Sequence, residues 1–308
     1  MTEQKKHKRS NHHHHRPVNE GNLLIATLLN LVITLVEVAG GILSNSLALL
    51  SDALHNLSDT FATFIAYVAT RVGKRKANTR KTFGYRRIEI LAALLNAVIL
   101  IVICIFLFKE AYERIQEPQE IKSLIVIIVA MVGLGANVLA VALLHRDSKK
   151  NINVKAAYVH LIGDSLSSVV VILAAVSIQL FGIYWVDPVV TIVIGVYLIR
   201  ESYLILKEAV NILMQSVPGN LDIQKIKNKI EAYPEVNNIH HLHAWSLSDS
   251  DIHFEAHVEL AEDMRVSELD SLQQKIESLL MKRFHVKHTT LQFEFKPKHS
   301  KSLISKGS

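Results

Sequence analysis

The sequence predicts an all-α bundle of six membrane-spanning helices followed by a small α+β domain. Three observations carry that expectation. Half of the 308 residues are hydrophobic. They gather into runs of about twenty, the length that crosses roughly 30 Å of hydrocarbon. From residue 214 on, the runs give way to the shorter periods of amphipathic helices and half-buried strands.

The six apolar runs fall at 23–43, 47–70, 88–108, 123–144, 156–181 and 186–206. Their connecting segments set an orientation. Residues 71–87 hold eight Lys/Arg, residues 146–155 hold four, and the N-terminal arm adds Lys5, Lys6, Lys8, Arg9 and Arg16. The loops after the first and fifth runs hold none, and residues 109–122 hold three against four Glu. By the positive-inside rule both termini are cytoplasmic. The net charge of +6 then follows from topology and calls for no nucleic-acid partner. The first run is too long for a signal-peptide core and lacks a small-residue cleavage pattern, so it is expected to stay in the protein. The lone Cys104 lies within the third run and excludes both an intramolecular disulfide and a CxxC metal pair.

Pro218-Gly219 punctuates the change of composition. Ile223, Ile226 and Ile230 have helical spacing, residues 236–247 and 252–260 read as strands, Leu269 to Leu280 repeat as a second helix, and Leu291, Phe293 and Phe295 mark a last strand. The second strand alternates Ile252, Phe254, Ala256, Val258 and Leu260 with His253, Glu255, His257 and Glu259. The expected organisation is a basic, His-containing arm (1–20), a membrane domain (21–213), a cytoplasmic α+β domain (214–297) and a disordered Lys/Ser-rich tail (298–308).

Two of the apolar runs carry a histidine followed four residues later by an aspartate: His55 and Asp59 in ALLSDALHNLSDT, His160 and Asp164 in AAYVHLIGDSLSS. Positions i and i+4 share one helix face. Charged groups inside a bilayer cost roughly 2.5–3.5 kcal/mol each even on the lenient insertion scale, so they need partners. Two such faces turned together supply two imidazole nitrogens and two carboxylates, a complete tetrahedral set for Zn²⁺ that Cd²⁺ and Co²⁺ can share. The runs are antiparallel, which pairs His55 with Asp164 and Asp59 with His160. The competing reading is a set of interhelical hydrogen bonds, the role expected of Asn30, Asn96 and Asn137; it leaves the carboxylates without a counter-charge. Asp52 is read as a partner orienting His55 or as an interfacial hydrogen-bonder, and Glu37 and Glu89 as polar groups facing the bundle interior.

On these residues the chain resembles the cation diffusion facilitator family, in its zinc/cadmium/cobalt efflux branch. The matching segments are SLALLSDALHNLSDT, KTFGYRRIEILAALLNA, NVKAAYVHLIGDSLSS and HHLHAW. The resemblance implies a homodimeric antiporter whose cytoplasmic domain has a ferredoxin/metallochaperone-like fold, and it places His55, Asp59, His160 and Asp164 on the transport-site positions. It also matches His240, His257 and Glu294 to regulatory metal positions. Gln292 stands where a relative has histidine, and an ordinary solvated strand face is the alternative there. Asn78, Lys81 and Tyr85 replace the Asp and His that some relatives use for a further metal site, so that site is expected to be absent. The loop HRDSKKNINVK is short where eukaryotic relatives carry a long His-rich insertion, which favours a bacterial-type member in an inner or plasma membrane. The four histidines at 12–15 suit metal capture but equally fit an incidental run.

The expected function is secondary active export of Zn²⁺ in exchange for protons, because protonation near an imidazole pKa of ~6.5 competes with metal binding. Two other classes compete. An intramembrane metalloenzyme needs an open coordination position and a base such as H-E-x-x-H, a motif this sequence lacks. A membrane metal sensor needs only the terminal domain to respond.

Overall fold

The computed structural model describes residues 20–73, 77–148, 152–248, 251–298 and 301–304. The arm at 1–19, with its histidine run at 12–15, lies outside the described residues. Six long helices follow one another: α1 (Glu20–Ser44), α2 (Leu47–Gly73), α3 (Ile88–Gln116), α4 (Ser123–Ser148), α5 (Ile152–Phe181) and α6 (Val186–Leu213). Several outrun their apolar stretch. The end of α3 runs on through KEAYERIQ, where Lys109–Glu113 (3.4 Å) and Glu110–Arg114 (2.9 Å) pair at i, i+4 and support a polar last turn.

Among the described residues, four helices are long and apolar enough to cross a membrane: Ile88–Gln116, Ser123–His145, Tyr158–Phe181 and Val186–Leu213. Where the sequence predicts six spans, the first two are less clear. The described apolar stretch of α1 is the shorter Asn30–Ser44. The first half of α2 carries Asp52, His55, Asn56, Ser58 and Asp59. Large side chains such as Phe106, Leu180 and Phe181 are about 70% exposed (68%, 69% and 71%), as expected of a surface that faces lipid.

The chain forms two compact units, one comprising the chain up to Thr60 with Leu107–Gly195, the other Phe61–Phe106 with the chain from Val196 on. In the first, α4 packs against α5 and α1 against α4. The approach of α1 to α4 depends on glycines. A Cβ at Gly40 would meet Val129 Cγ2 at 2.8 Å, and one at Gly133 would collide with the buried Glu37 carboxylate.

The start of α2 is anchored from two directions. Asn45 turns the chain in the left-handed region at φ 59°. Its carbonyl and carboxamide oxygens accept from Arg114 (2.7 and 2.9 Å). Ser46 caps α2 by accepting from Leu49 N–H (3.2 Å). The buried Asp187 carboxylate, from the first turn of α6, accepts from Ser46 Oγ and from Leu47 N–H (2.7 Å). An anion at a helix N-terminus is favourably placed against the helix dipole.

In the second unit the terminal domain runs α7 (Ile223–Ile230), β1 (Val236–Ser248), β2 (Asp251–Leu260), α8 (Val266–Phe284) and β3 (Val286–Glu294). This is the helix-strand-strand-helix-strand order that the periodicity predicts. The sheet is mixed, in the order β1-β2-β3, with β1 and β2 antiparallel and β2 and β3 parallel. Parallel neighbours need a long crossover, which α8 supplies. Ile226, Ile230, Ile239, Phe254, Leu272, Ile276 and Leu280 are fully buried between helices and sheet. Asp222 caps α7 by accepting from Lys225 N–H (3.0 Å).

Two features depart from a plain alternating strand. β1 bulges between His240 and His243, with His241 at φ 49°. The extra residue keeps His240 and His243 opposite His257 and Glu255 of β2 while Leu242 enters the core. On β2, His253 and Glu259 belong to the polar face by alternation, yet both are buried. Their neighbours explain it: Trp245 stacks on His253 (5.4 Å between centroids), and Lys301 Nζ meets Glu259 (2.7 Å). Lys301 belongs to the segment that composition assigns to a disordered tail. There the carbonyls of Ser302 and Leu303 accept from His241 and Leu242 N–H (3.2 and 2.9 Å). The last four residues, 305–308, lie outside the described residues.

Candidate metal centre

His55 and Asp59 lie one turn apart on α2, and His160 and Asp164 one turn apart on α5. Both helices are built from Leu, Ala, Val and Ile around these polar positions, so the 3.6-residue period stacks each pair on one face. The structure brings the four side chains together. His55 Nε2 lies 3.5 Å from Asp59 Oδ2 and 3.4 Å from Asp164 Oδ1. His160 Nε2 lies 3.2 Å from Asp59 Oδ2 and 3.5 Å from Asp164 Oδ2. One donor atom from each lies within 4.8 Å of every other.

These contacts have the dimensions of a coordination polyhedron. Tetrahedral zinc with bonds of about 2.0–2.1 Å holds its donors about 3.3 Å apart. The four nitrogen-to-oxygen contacts here are 3.2–3.5 Å, with Asp164 meeting His55 through Oδ1 and His160 through Oδ2. Asp164 is 2% exposed, and a buried anion needs a counter-charge, which a divalent cation held among the four side chains would supply. Access is one-sided: Asp59 and His160 are 35% and 45% exposed.

Asp52, one turn before His55, accepts from Ser167 and Ser168 of α5 and is 1% exposed. It thereby ties α2 to α5 beside the cluster. Glu37 of α1 is fully buried and accepts from Asn56 Nδ2 (2.8 Å). Sequence reasoning left Glu37 without a partner and passed over Asn56 and Asp187. The signal for Asn56 was its place next to His55 on a helix whose other face is apolar. Asp187, at the edge of an apolar run and before Pro188, reads as a loop residue.

The second sequence-predicted set also converges. His240, His257 and Glu294 come one from each strand, and their donor atoms lie within 4.8 Å of one another. Glu294 meets His257 Nδ1 at 2.8 Å and His240 Nε2 at 3.4 Å. His240 is fully buried; His257 and Glu294 are 16% and 11% exposed. His241, placed by the bulge, stacks on the His257 ring (4.7 Å, 12°). Gln292 donates to Glu294 Oε1 (2.7 Å), the oxygen that also faces His257.

The remaining histidines of the domain do other work. His285 ends α8 in the left-handed region at φ 57°. His253 packs against Trp245, His288 and Phe83. Burial lowers its pKa below the ordinary imidazole value, and the neighbouring His288 adds to the shift. The folded domain therefore binds fewer protons than the unfolded chain in that range. The stability at stake is whole above the unfolded imidazole pKa of about 6.5 and declines as pH falls through it toward the folded value. We expect the domain's thermal midpoint to drop between about pH 7 and pH 5.5. His253→Phe keeps a ring against Trp245 and should drop less; equal pH slopes in the two proteins would remove His253 as the cause.

Several helices long and apolar enough to cross a membrane, a His/Asp cluster between α2 and α5 and a mixed-sheet domain after them define a multi-pass membrane protein with metal-ligand side chains inside its helical domain. Comparison with known proteins makes this specific. Residues 23–214 match the cation efflux transmembrane domain and residues 218–296 the cytoplasmic domain of cation efflux proteins. The chain is 37% identical over 286 residues to the cadmium, cobalt and zinc/H⁺-K⁺ antiporter of Bacillus velezensis, covering 92% of this chain and 91% of that protein. It is 38% identical over 287 residues to the zinc transporter ZitB of Pectobacterium atrosepticum (92% and 88% covered). It is 36% identical over 283 residues to the metal cation efflux system protein CzcD of Cupriavidus metallidurans (92% and 89% covered). The chain belongs to the cation efflux family, whose members are transporters and not enzymes.

Proposed function

We propose that this protein exports divalent metal cations from the cytoplasm in exchange for protons, with Zn²⁺ the first substrate and Cd²⁺ and Co²⁺ accommodated by the same donors. The observation that carries the reading is the four-edged cluster of His55, Asp59, His160 and Asp164, whose donor spacings match tetrahedral zinc. Two nitrogens and two oxygens fit zinc better than the oxygen cages that suit Mg²⁺. Imidazoles bind metal only when neutral, so a proton arriving at the site competes with the ion, and alternating access turns that competition into exchange. The names of the relatives, zinc transporter and cadmium, cobalt and zinc/H⁺-K⁺ antiporter, support the substrate and the counter-ion.

In this reading all six long helices span the membrane, because the polar half of α2 is shielded by its contacts with α5 and α1. The arm (1–20), the membrane domain (21–213) and the terminal domain (214–297) are its divisions, with both termini cytoplasmic by their basic flanks. The protein works as a homodimer in the cell membrane. The test is zinc uptake into vesicles containing the purified protein, with the proton gradient imposed and potassium varied. Uptake that follows the proton gradient supports export by antiport. Zinc binding without flux would leave a metal sensor as the better description.

His240, His257 and Glu294 form a regulatory site in this reading, separate from the transport path. His257→Ala is expected to raise the zinc concentration required for half-maximal flux and to change the maximum less. A zinc titration of vesicle uptake measures this. Loss of flux at every zinc concentration, with the dimer intact, would put His257 on the transport path instead.

A further inference from the structure

Residues 80–88 fold into a compact turn just before α3 begins its apolar run. Asn78 and Lys81 exchange backbone hydrogen bonds (3.2 and 3.1 Å). The Asn78 side-chain oxygen accepts from the N–H groups of Arg80 and Lys81 (3.0 and 2.9 Å). Gly84, at φ 72°, closes a second turn onto the Lys81 carbonyl (2.9 Å). This turn and β1 enclose a cavity of about 460 Å³.

The charge of that cavity has one sign. Arg80, Lys81, Arg86 and Arg87 line it, together with Trp245 and Leu247, and no Asp or Glu does. Arg86 is committed to Asp251, and Lys81 Nζ sits 4.1 Å above the Tyr85 ring. Arg87 is different: its Nε is buried and has no hydrogen-bond partner among the described residues. A buried guanidinium N–H without an acceptor is costly, and the acceptor that best matches its planar fork is a carboxylate or a phosphate. The volume suits a small polar headgroup. The surroundings suit a membrane surface: Phe83 and Leu91 are 55% and 51% exposed, α3 enters its apolar run at Ile88, and a tryptophan lies in the wall.

We propose that this cavity binds a phosphate group, that of an anionic phospholipid at the membrane surface, with the half-buried Arg87 as its innermost ligand and Arg80 and Lys81 at its mouth. This rests on α3 crossing the membrane and not on metal at the four-donor cluster. Arg86 takes no part, since Asp251 already neutralises it.

The test uses the full-length protein in neutral detergent, with three probes: short-chain phosphatidylglycerol, short-chain phosphatidylcholine and inorganic phosphate. Calorimetric titration should show saturable binding of phosphatidylglycerol and none of phosphatidylcholine. Binding should weaken about tenfold in Arg87→Gln and by a similar factor in the exposed double variant Arg80→Gln/Lys81→Gln. The double variant keeps the test valid should the Arg87 substitution fail to fold. Inorganic phosphate binding as tightly, with the same dependence on the arginines, would support the phosphate site and assign it to the free anion. No binding of either anion, or phosphatidylglycerol binding unchanged in both variants, overturns the proposal. Zinc uptake into vesicles of phosphatidylcholine alone tests metal export separately, so a failure of one reading is not a failure of the other.

Discussion

Asp164→Asn should reduce zinc uptake by about two orders of magnitude or more while leaving a folded protein. Loss of an outer partner of a metal ligand already costs 10–100-fold, and here the ligand itself is lost. Asp164 is the most enclosed of the four donors, at 2% exposure, and lies between the imidazoles of His55 and His160. Asparagine preserves the shape and removes the charge. The ion then sheds its water for a site with one anion in place of two. Asp59→Asn should behave alike, because Asp59 contacts both histidines from the more open side. Folding should survive, since asparagine keeps the volume and hydrogen-bonding capacity of aspartate and lifts the cost of burying a carboxylate. Zinc tolerance of a zinc-sensitive cell, together with size-exclusion of the purified variant, checks both halves. Wild-type tolerance from either variant would dismiss the four-donor cluster as the transport site.

Metal preference is expected to follow the two nitrogens. His55→Asp or His160→Asp makes the donor set richer in oxygen and harder, so Mn²⁺ should gain on Zn²⁺ by about tenfold in competitive vesicle uptake. His160 is the better position for the experiment. At 45% exposure it leaves room for a water to complete the coordination, whereas His55, at 15%, is held among packed neighbours. An unchanged ratio of the two metals in both variants would mean that selection is made elsewhere on the path.

The four donors were legible in the sequence because the chemistry there is local in each half: a turn of helix stacks His on Asp, and the bilayer penalty makes a lone pair untenable. The terminal domain was legible for the same reason, since Ile226, Ile230, Leu272, Ile276 and Leu280 declare one helix face each and apolar and polar residues alternate along the sequence of β2. What could not be read was set by contacts between distant parts of the chain. The clasp of Asp187 on the start of α2 joins positions some 140 residues apart. Glu37 and Asn56 pair across two helices. The bulge at His241 depends on which residues β2 offers opposite it and on the carbonyls of Ser302 and Leu303. The residues that form the cluster also lower the hydropathy of α2, which the sequence counts as a span and which is not among the four clear apolar spans of the described residues.

Each of the two helices at the cluster contributes one nitrogen and one oxygen from adjacent turns. The site is therefore two pincers, each complete within a rigid element that moves as a body. Parting the helices would split the coordination evenly, leaving an ion with two donors and room for water, while neither pincer need change its internal geometry. If the cluster is the transport site, as proposed, the energy that governs passage is lodged in how α2 and α5 approach one another, through Asp52 and the serines of α5, more than in the reach of any single ligand.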